Sequence, residues 1–219
     1  PAILSVEEIP IPSAESILTL KQLEQMALDA NPAVAAAGAR VEALRGKWVQ
    51  VGLAPNPTIG YVGGEIGSDD AAGQQGGFVG QEFITGGKLG LNRAVVEQEV
   101  ARAEQEWAAI RQRVLTDVRT GYYDVLIAQR KLDLTRDLVR VSEQAVEASK
   151  ALLKAKEVSE VGLLQTEVEA QTAQILARRA RNENEAAWRR LSSVLGRPDL
   201  AAQRLAGDLG EAETGLNWD

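Results

Sequence analysis

The chain has 219 residues, with 31 Asp and Glu against 24 Lys and Arg for a net charge of −7, and it contains neither Cys nor His. That balance offers no basic face to a polyanion, so nucleic acid is not an expected partner. The missing residue types remove thiol chemistry, the usual zinc ligands and imidazole proton transfer, so no cofactor or metal site is expected.

With only 4 Trp, 3 Tyr and 2 Phe in a background of Ala, Glu, Gln, Arg, Leu and Val, the composition suits long helices packed side by side better than a compact globule. No apolar run reaches the length of a transmembrane helix, whereas barrel strands would leave no hydropathy peak to see.

Residues 1–18 carry Pro10 and Pro12 and read as an extended lead-in. Helical spacing follows over about 20–53, opened by a capping box at Thr19 and Gln22 and interrupted at Asn31-Pro32, where a second helix starts after a bend. Pro55-Asn56-Pro57 ends it. Two short runs rich in β-branched and aromatic residues, about 58–67 and 78–85, flank a polar glycine-containing link and predict a β-hairpin closed by Gly86-Gly87.

From Lys88 to about Lys156 no proline occurs, and the pattern predicts one helix of about 100 Å at roughly 1.5 Å per residue. Val96, Val100, Ala103, Trp107, Ile110 and Val114 alternate spacings of four and three, as a coiled-coil seam does. A second set, Leu134, Leu138, Val141, Ala145, Ala148 and Leu152, has the same spacing. Between the two, Val118, Tyr122 and Val125 stand one position off, as an extra four-residue step produces.

A break at 156–162 precedes a last helix over about 160–195, stopped by Gly196 and Pro198. Ser159 is the candidate cap of that helix, and Gly162 could supply an unusual backbone conformation at the turn. The helices before the hairpin and after the break have the lengths to lie along the long one. Residues 201–219 read as an acidic linker.

The fold class expected is therefore mainly α, a long antiparallel helical hairpin of coiled-coil type with an inserted two-stranded β-hairpin. The hairpin is either a decoration on a soluble bundle or a pair of strands in an oligomeric transmembrane β-barrel.

Its order of elements, and the segments "LTLKQLEQMALDANPAVAAAGARVEALRG" (18–46), "PNPTIGY" (55–61), "QEFITGGKLGLN" (81–92), "TGYYDVLIAQ" (120–129) and "EVSEVGLLQTEVEA" (157–170), resemble the TolC-like outer-membrane efflux family. The resemblance covers about residues 18–200, with 19–200 as a single structural repeat. It implies a passive channel subunit in the bacterial outer membrane, extending into the periplasm. Such a subunit would export small molecules, metal ions or polypeptides together with an inner-membrane pump and a periplasmic adaptor protein.

Relatives of this kind carry two repeats per chain and twelve barrel strands per trimer, so one repeat implies either a trimer of longer two-repeat chains or a hexamer of single repeats. The resemblance also makes Lys156, Glu157, Val158, Ser159, Glu160, Val161 and Gly162 the adaptor-facing tip. Many relatives have Gly at the position of Lys156 and Asp at that of Gly162.

Tyr61, Phe78 and Phe83 are candidates for an aromatic girdle in outer-membrane lipid; packing on a soluble bundle explains them equally well from the residues alone. Tyr122 and Tyr123 could line a pore, with interhelical packing the preferred role for both. Glu157, Glu160, Glu167 and Glu169 could form a carboxylate ring, with a solvated helix face preferred.

Gly87-Lys88 lacks the rest of a phosphate-binding loop, since Glu82 and Leu89 occupy the positions that need Gly and Ser or Thr. No carboxylate pair stands out from ordinary helical ion pairing, and no enzyme is expected. The competing readings are a soluble coiled-coil scaffold and a periplasmic adaptor, the latter disfavoured because nothing β-like follows Leu195.

Overall fold

A computed structural model describes residues 18–64 and 73–207. Its elements are α1 (Leu20–Ala30), α2 (Pro32–Gln50), β1 (Thr58–Gly64), β2 (Gln74–Gly80), α3 (Lys88–Lys154) and α4 (Glu160–Val194). The mainly helical class and the single inserted hairpin follow the sequence. The extended lead-in over 1–17, the end of the first expected strand and the start of the link (65–72), and residues 208–219 of the expected linker lie outside the described residues.

The described residues divide into two compact units, one formed by 18–35 with 111–207 and the other by 36–64 with 73–110. In the second unit α2 and α3 pack antiparallel. Arg45 and Lys47 reach Glu104 and Glu99, each at 2.7 Å, while Gly38 lies against the Trp107 ring and Trp48 beneath the Arg93 guanidinium at 4.8 Å. Residue numbers fall along one helix as they rise along the other. Helix α2 ends three residues before the expected limit because Gly52 and Leu53 bond the carbonyls of Val49 and Gln50, tightening the last turn into a 3₁₀ stop ahead of the prolines.

In the first unit α3 and α4 pair in the same antiparallel sense, joined at Gly121 and Leu191, Lys131 and Glu183, Glu143 and Gln174, and Ser149 and Thr166. The core sits at the end away from the α3–α4 turn. There Val118, Val125, Leu191, Leu195 and Trp188 are buried, with Leu23 and Ala27 of α1 buried in the same unit. Burying each of these valine and leucine side chains stabilises by about 1.5–3 kcal/mol. Towards the turn the buried residues of α4 shrink to Ala180, Ala173 and Ala170.

The buried and half-buried positions of α3 step by four and three from Val96 to Val114, take one extra four to Val118, and resume through Val125, Leu132, Val139 and Val146 to Leu153. The first seam and the slip stand as expected. The second does not: Leu134, Leu138, Val141, Ala145, Ala148 and Leu152 are all exposed. Two parallel heptad tracks occupy this half of the helix, and the sequence pattern cannot tell the track that meets α4 from the one that faces outward.

Residues 201–207 are a further correction, being a packed strap and not a free linker. Leu205 is buried and pairs in parallel with Leu18, the last residue of the expected lead-in. Gln129 grips the strap twice: its side-chain amide donates to the Gln203 carbonyl (3.0 Å) and its oxygen accepts from Leu205 N (3.4 Å). Arg204 pairs with Asp133, and Trp188 donates to the Leu200 carbonyl. Buried backbone groups need such partners, and α3 and α4 supply them from side chains.

Candidate functional site

The hairpin comes first. Its ladder is antiparallel, pairing Thr58 with Gly80 at one end and Gly64 with Gln74 at the other. The second strand therefore lies over 74–80 and not over 78–85. Beyond Thr58 stand Pro57 and Pro55, which have no N–H to extend the ladder, and the Pro55 carbonyl takes the Gln81 side-chain amide instead (2.8 Å).

That register separates the three candidate aromatics. Tyr61 pairs with Gly77 and Phe78 with Gly60, on opposite faces, while Phe83 lies outside the ladder and is 81% exposed. Every large apolar side chain of the two strands is exposed, including Ile59, Val62 and Val79. A two-stranded hairpin with no covered face is marginal by itself and is stabilised by further strands or an apolar surrounding.

The α3–α4 turn is the second candidate. Helix α3 closes with the Lys156 N–H donating to the Leu153 carbonyl and the Glu157 N–H to the Leu152 carbonyl, both at 2.9 Å. This is a Schellman motif, with Lys156 in the left-handed position at φ +62°. Ser159 caps α4 by accepting from Gly162 N at 3.3 Å, as its sequence position suggests.

The expected special backbone at Gly162 is absent; that residue is helical, in the first turn of α4, and the positive φ belongs to Lys156. What Gly162 supplies is room, because a Cβ there would stand 2.7 Å from a Val158 methyl. Val158 is half-buried under that contact, while Lys156, Glu157, Ser159, Glu160 and Val161 are exposed. Of the four acids weighed as a ring, Glu157, Glu160 and Glu169 are exposed and Glu167 half-buried, near enough to Lys150 to add to the Glu147 contact that raises its pKa.

Tyr122 and Tyr123 part company. Tyr122 is buried and donates its hydroxyl to the Ala206 carbonyl, and burial pushes its phenol pKa up, with Tyr123 adding to the effect. Tyr123 is exposed and stacks edge-on against it, centroids 5.3 Å apart. The paired amide grip of Gln129 escaped the sequence reading altogether. Its one legible trace is the spacing of Tyr122, Gln129 and Asp133, which puts hydrogen-bonding groups on one side of α3.

Among the described residues no helix is long and apolar enough to cross a membrane, and no cluster of acidic residues is arranged to hold a metal ion.

The family model that matches is "Outer membrane efflux protein", over residues 23–197. Among solved structures the chain is similar to CusC (16% identity, TM-score 0.70), covering 87% of this chain and 46% of that one. It is also similar to the CmeC outer membrane channel of Campylobacter jejuni (15% identity, TM-score 0.67, covering 80% and 40%). A third is the outer membrane protein VceC of Vibrio cholerae (16% identity, TM-score 0.66, covering 87% and 51%). The chain thus spans 40–51% of the length of these three proteins. No curated protein matches it by sequence.

Proposed function

We infer the role of this chain from its family: it belongs to the outer membrane efflux proteins. The family places it in the bacterial outer membrane and makes it a component of transport and not an enzyme. The chain is one wall segment of a passive channel, its hairpin supplying two strands to an oligomeric barrel and its helices a tunnel wall on the periplasmic side.

The observation that carries this reading is the bare hairpin. Its described strands of seven residues extend about 23 Å along their own axes at about 3.3 Å per residue, or roughly 18 Å across a bilayer at the usual barrel tilt, and so cover most of the roughly 25 Å apolar band of outer-membrane barrels. Apolar side chains on them remain in the open, and no described residue of either strand is charged. The outward heptad track of α3 supports the same reading, since Leu134, Leu138, Val141 and Leu152 have the spacing of a coiled-coil seam and α4 does not cover them. Val161, Leu164, Val168 and Ile175 present a similar exposed track on α4. Neighbouring copies or a second repeat are the natural occupants.

The assembly is a trimer of two-repeat chains or a hexamer of single repeats, and either supplies twelve strands. An inner-membrane pump provides the energy, and a periplasmic adaptor engages the turn formed by 156–162. Exported substrates, whether small molecules, metal ions or polypeptides, pass without a shaped binding pocket.

The test is the mass and detergent requirement of the native gene product after membrane extraction, by light scattering. A detergent-dependent trimer or hexamer is the expected result. A water-soluble monomer or dimer would overturn the channel reading in favour of a coiled-coil scaffold.

A further inference from the structure

Residues paired across an antiparallel ladder share a face, and faces alternate along each strand. Ile59, Tyr61 and Gly63 therefore stand with Val79, Gly77 and Gln75 on one side of the hairpin. On the other side Thr58, Gly60, Val62 and Gly64 stand with Gly80, Phe78, Gly76 and Gln74.

The two faces differ in chemistry. On the first, Ile59, Val79 and Tyr61 project with 79%, 74% and 66% of their surface free, beside two glycines and one polar residue, Gln75. The second holds polar Thr58 and Gln74, four glycines, Val62, and a Phe78 whose ring lies across the neighbouring strand onto Gly60. A Cβ at Gly60 would collide with the ring edge, so the flat placement depends on that glycine. Phe78 is accordingly the less exposed aromatic, at 47%. A barrel wall needs its apolar side chains in lipid and tolerates polar and small ones towards a water-filled lumen.

We propose that the face carrying Ile59, Tyr61 and Val79 lies against the acyl chains of the outer membrane, and that Phe78, laid flat on Gly60, lines the lumen beside Val62. This rests on the reading of the hairpin as barrel strands and assigns each of its sides. Tyr61 and Phe78 then belong to different surfaces, and of these two only Tyr61 can serve as a lipid-interface aromatic. The occupant is lipid because the family is one of outer membrane proteins and because, among the paired residues 58–64 and 74–80, which carry no charge, this face holds the three most exposed large apolar side chains.

The experiment is spin-label accessibility on the full-length assembly in proteoliposomes. The chain has no cysteine, so Ile59→Cys, Tyr61→Cys, Val79→Cys, Val62→Cys and Phe78→Cys each add one labelling site to it. Labels at 59, 61 and 79 are expected to collide at least about threefold more with dissolved oxygen than with a water-soluble nickel chelate, and labels at 62 and 78 the reverse, following the opposite solubility of the two quenchers in lipid and water. An inverted pattern, or no alternation, in a detergent-dependent assembly overturns the face assignment alone. Nickel access at all five sites in a particle that stays in solution without detergent overturns the barrel reading with it. Should an aromatic replacement fail to assemble, Val79→Cys and Val62→Cys, of like size on opposite faces, decide the matter.

Discussion

Two helices of the same unit end in the same hydrogen-bonded motif with different residues at its critical position. Helix α4 closes through Gly196 N to the Ser193 carbonyl and Arg197 N to the Ser192 carbonyl, with Gly196 at φ +71°. Helix α3 closes identically around Lys156 at φ +62°. The first end is locked into the core, beside buried Leu195 and against the Ala30 carbonyl; the second is exposed. Where backbone packs against backbone only glycine fits, whereas at an open turn a side chain is tolerated at a modest conformational cost.

Replacing Gly196 with Ala should be the most damaging change. The new Cβ would meet the left-handed backbone penalty and collide with the Ala30 carbonyl, so about 3 kcal/mol of destabilisation is expected. The urea unfolding midpoint of the purified protein in detergent measures it, and a loss below about 1 kcal/mol would mean that this junction yields easily.

Asn31→Ala tests the other half of the same lock. The Asn31 side chain accepts from Ala33 N (2.8 Å) to cap α2 and donates to the Val194 carbonyl (2.8 Å) at the end of α4. Losing a cap and a part-buried hydrogen bond together should lower stability by about 2 kcal/mol in the same assay.

The locked end was largely legible in the sequence and the exposed surfaces were not. Gly196 with Pro198, and Asn31 with Pro32, are local stop and start signals, so helix limits followed from them to within a few residues. Leu134 and Leu132 carry the same residue type on neighbouring heptad tracks; which one meets α4 depends on the rotation of the helix, a tertiary fact absent from periodicity. The β2 limits failed for a related reason. Phe83, Ile84 and Thr85 have strand propensity, yet the prolines on the partner strand remove the pairing that would make them one. The role of the tip residues follows from family resemblance and not from spacing, whereas the strand aromatics are visible as residues but their faces depend on the ladder register, which puts Tyr61 and Phe78 on opposite sides.

At the open end, Ser159→Ala removes the cap on Gly162 N, and a loss of about 1 kcal/mol is expected. A local readout serves best here: amide hydrogen exchange at the start of α4 should rise while that around Leu191 stays unchanged. Uniform acceleration in both places would show that the turn and the core unfold as one unit and would erase the distinction between the two helix ends.

Lys156→Gly has the smallest expected effect and the opposite sign. Glycine removes the Cβ penalty of the left-handed conformation, so the protein should gain up to about 1 kcal/mol where glycine suits the backbone so well. If the turn engages an adaptor through the Lys156 ammonium, adaptor binding in a co-purification titration should weaken as stability rises. Lys156→Ala, which keeps the strained backbone and drops the charge, should weaken binding equally without the gain. Equal binding by all three proteins would assign the contact to the turn backbone and its neighbours, leaving Lys156 as a tolerated departure from glycine.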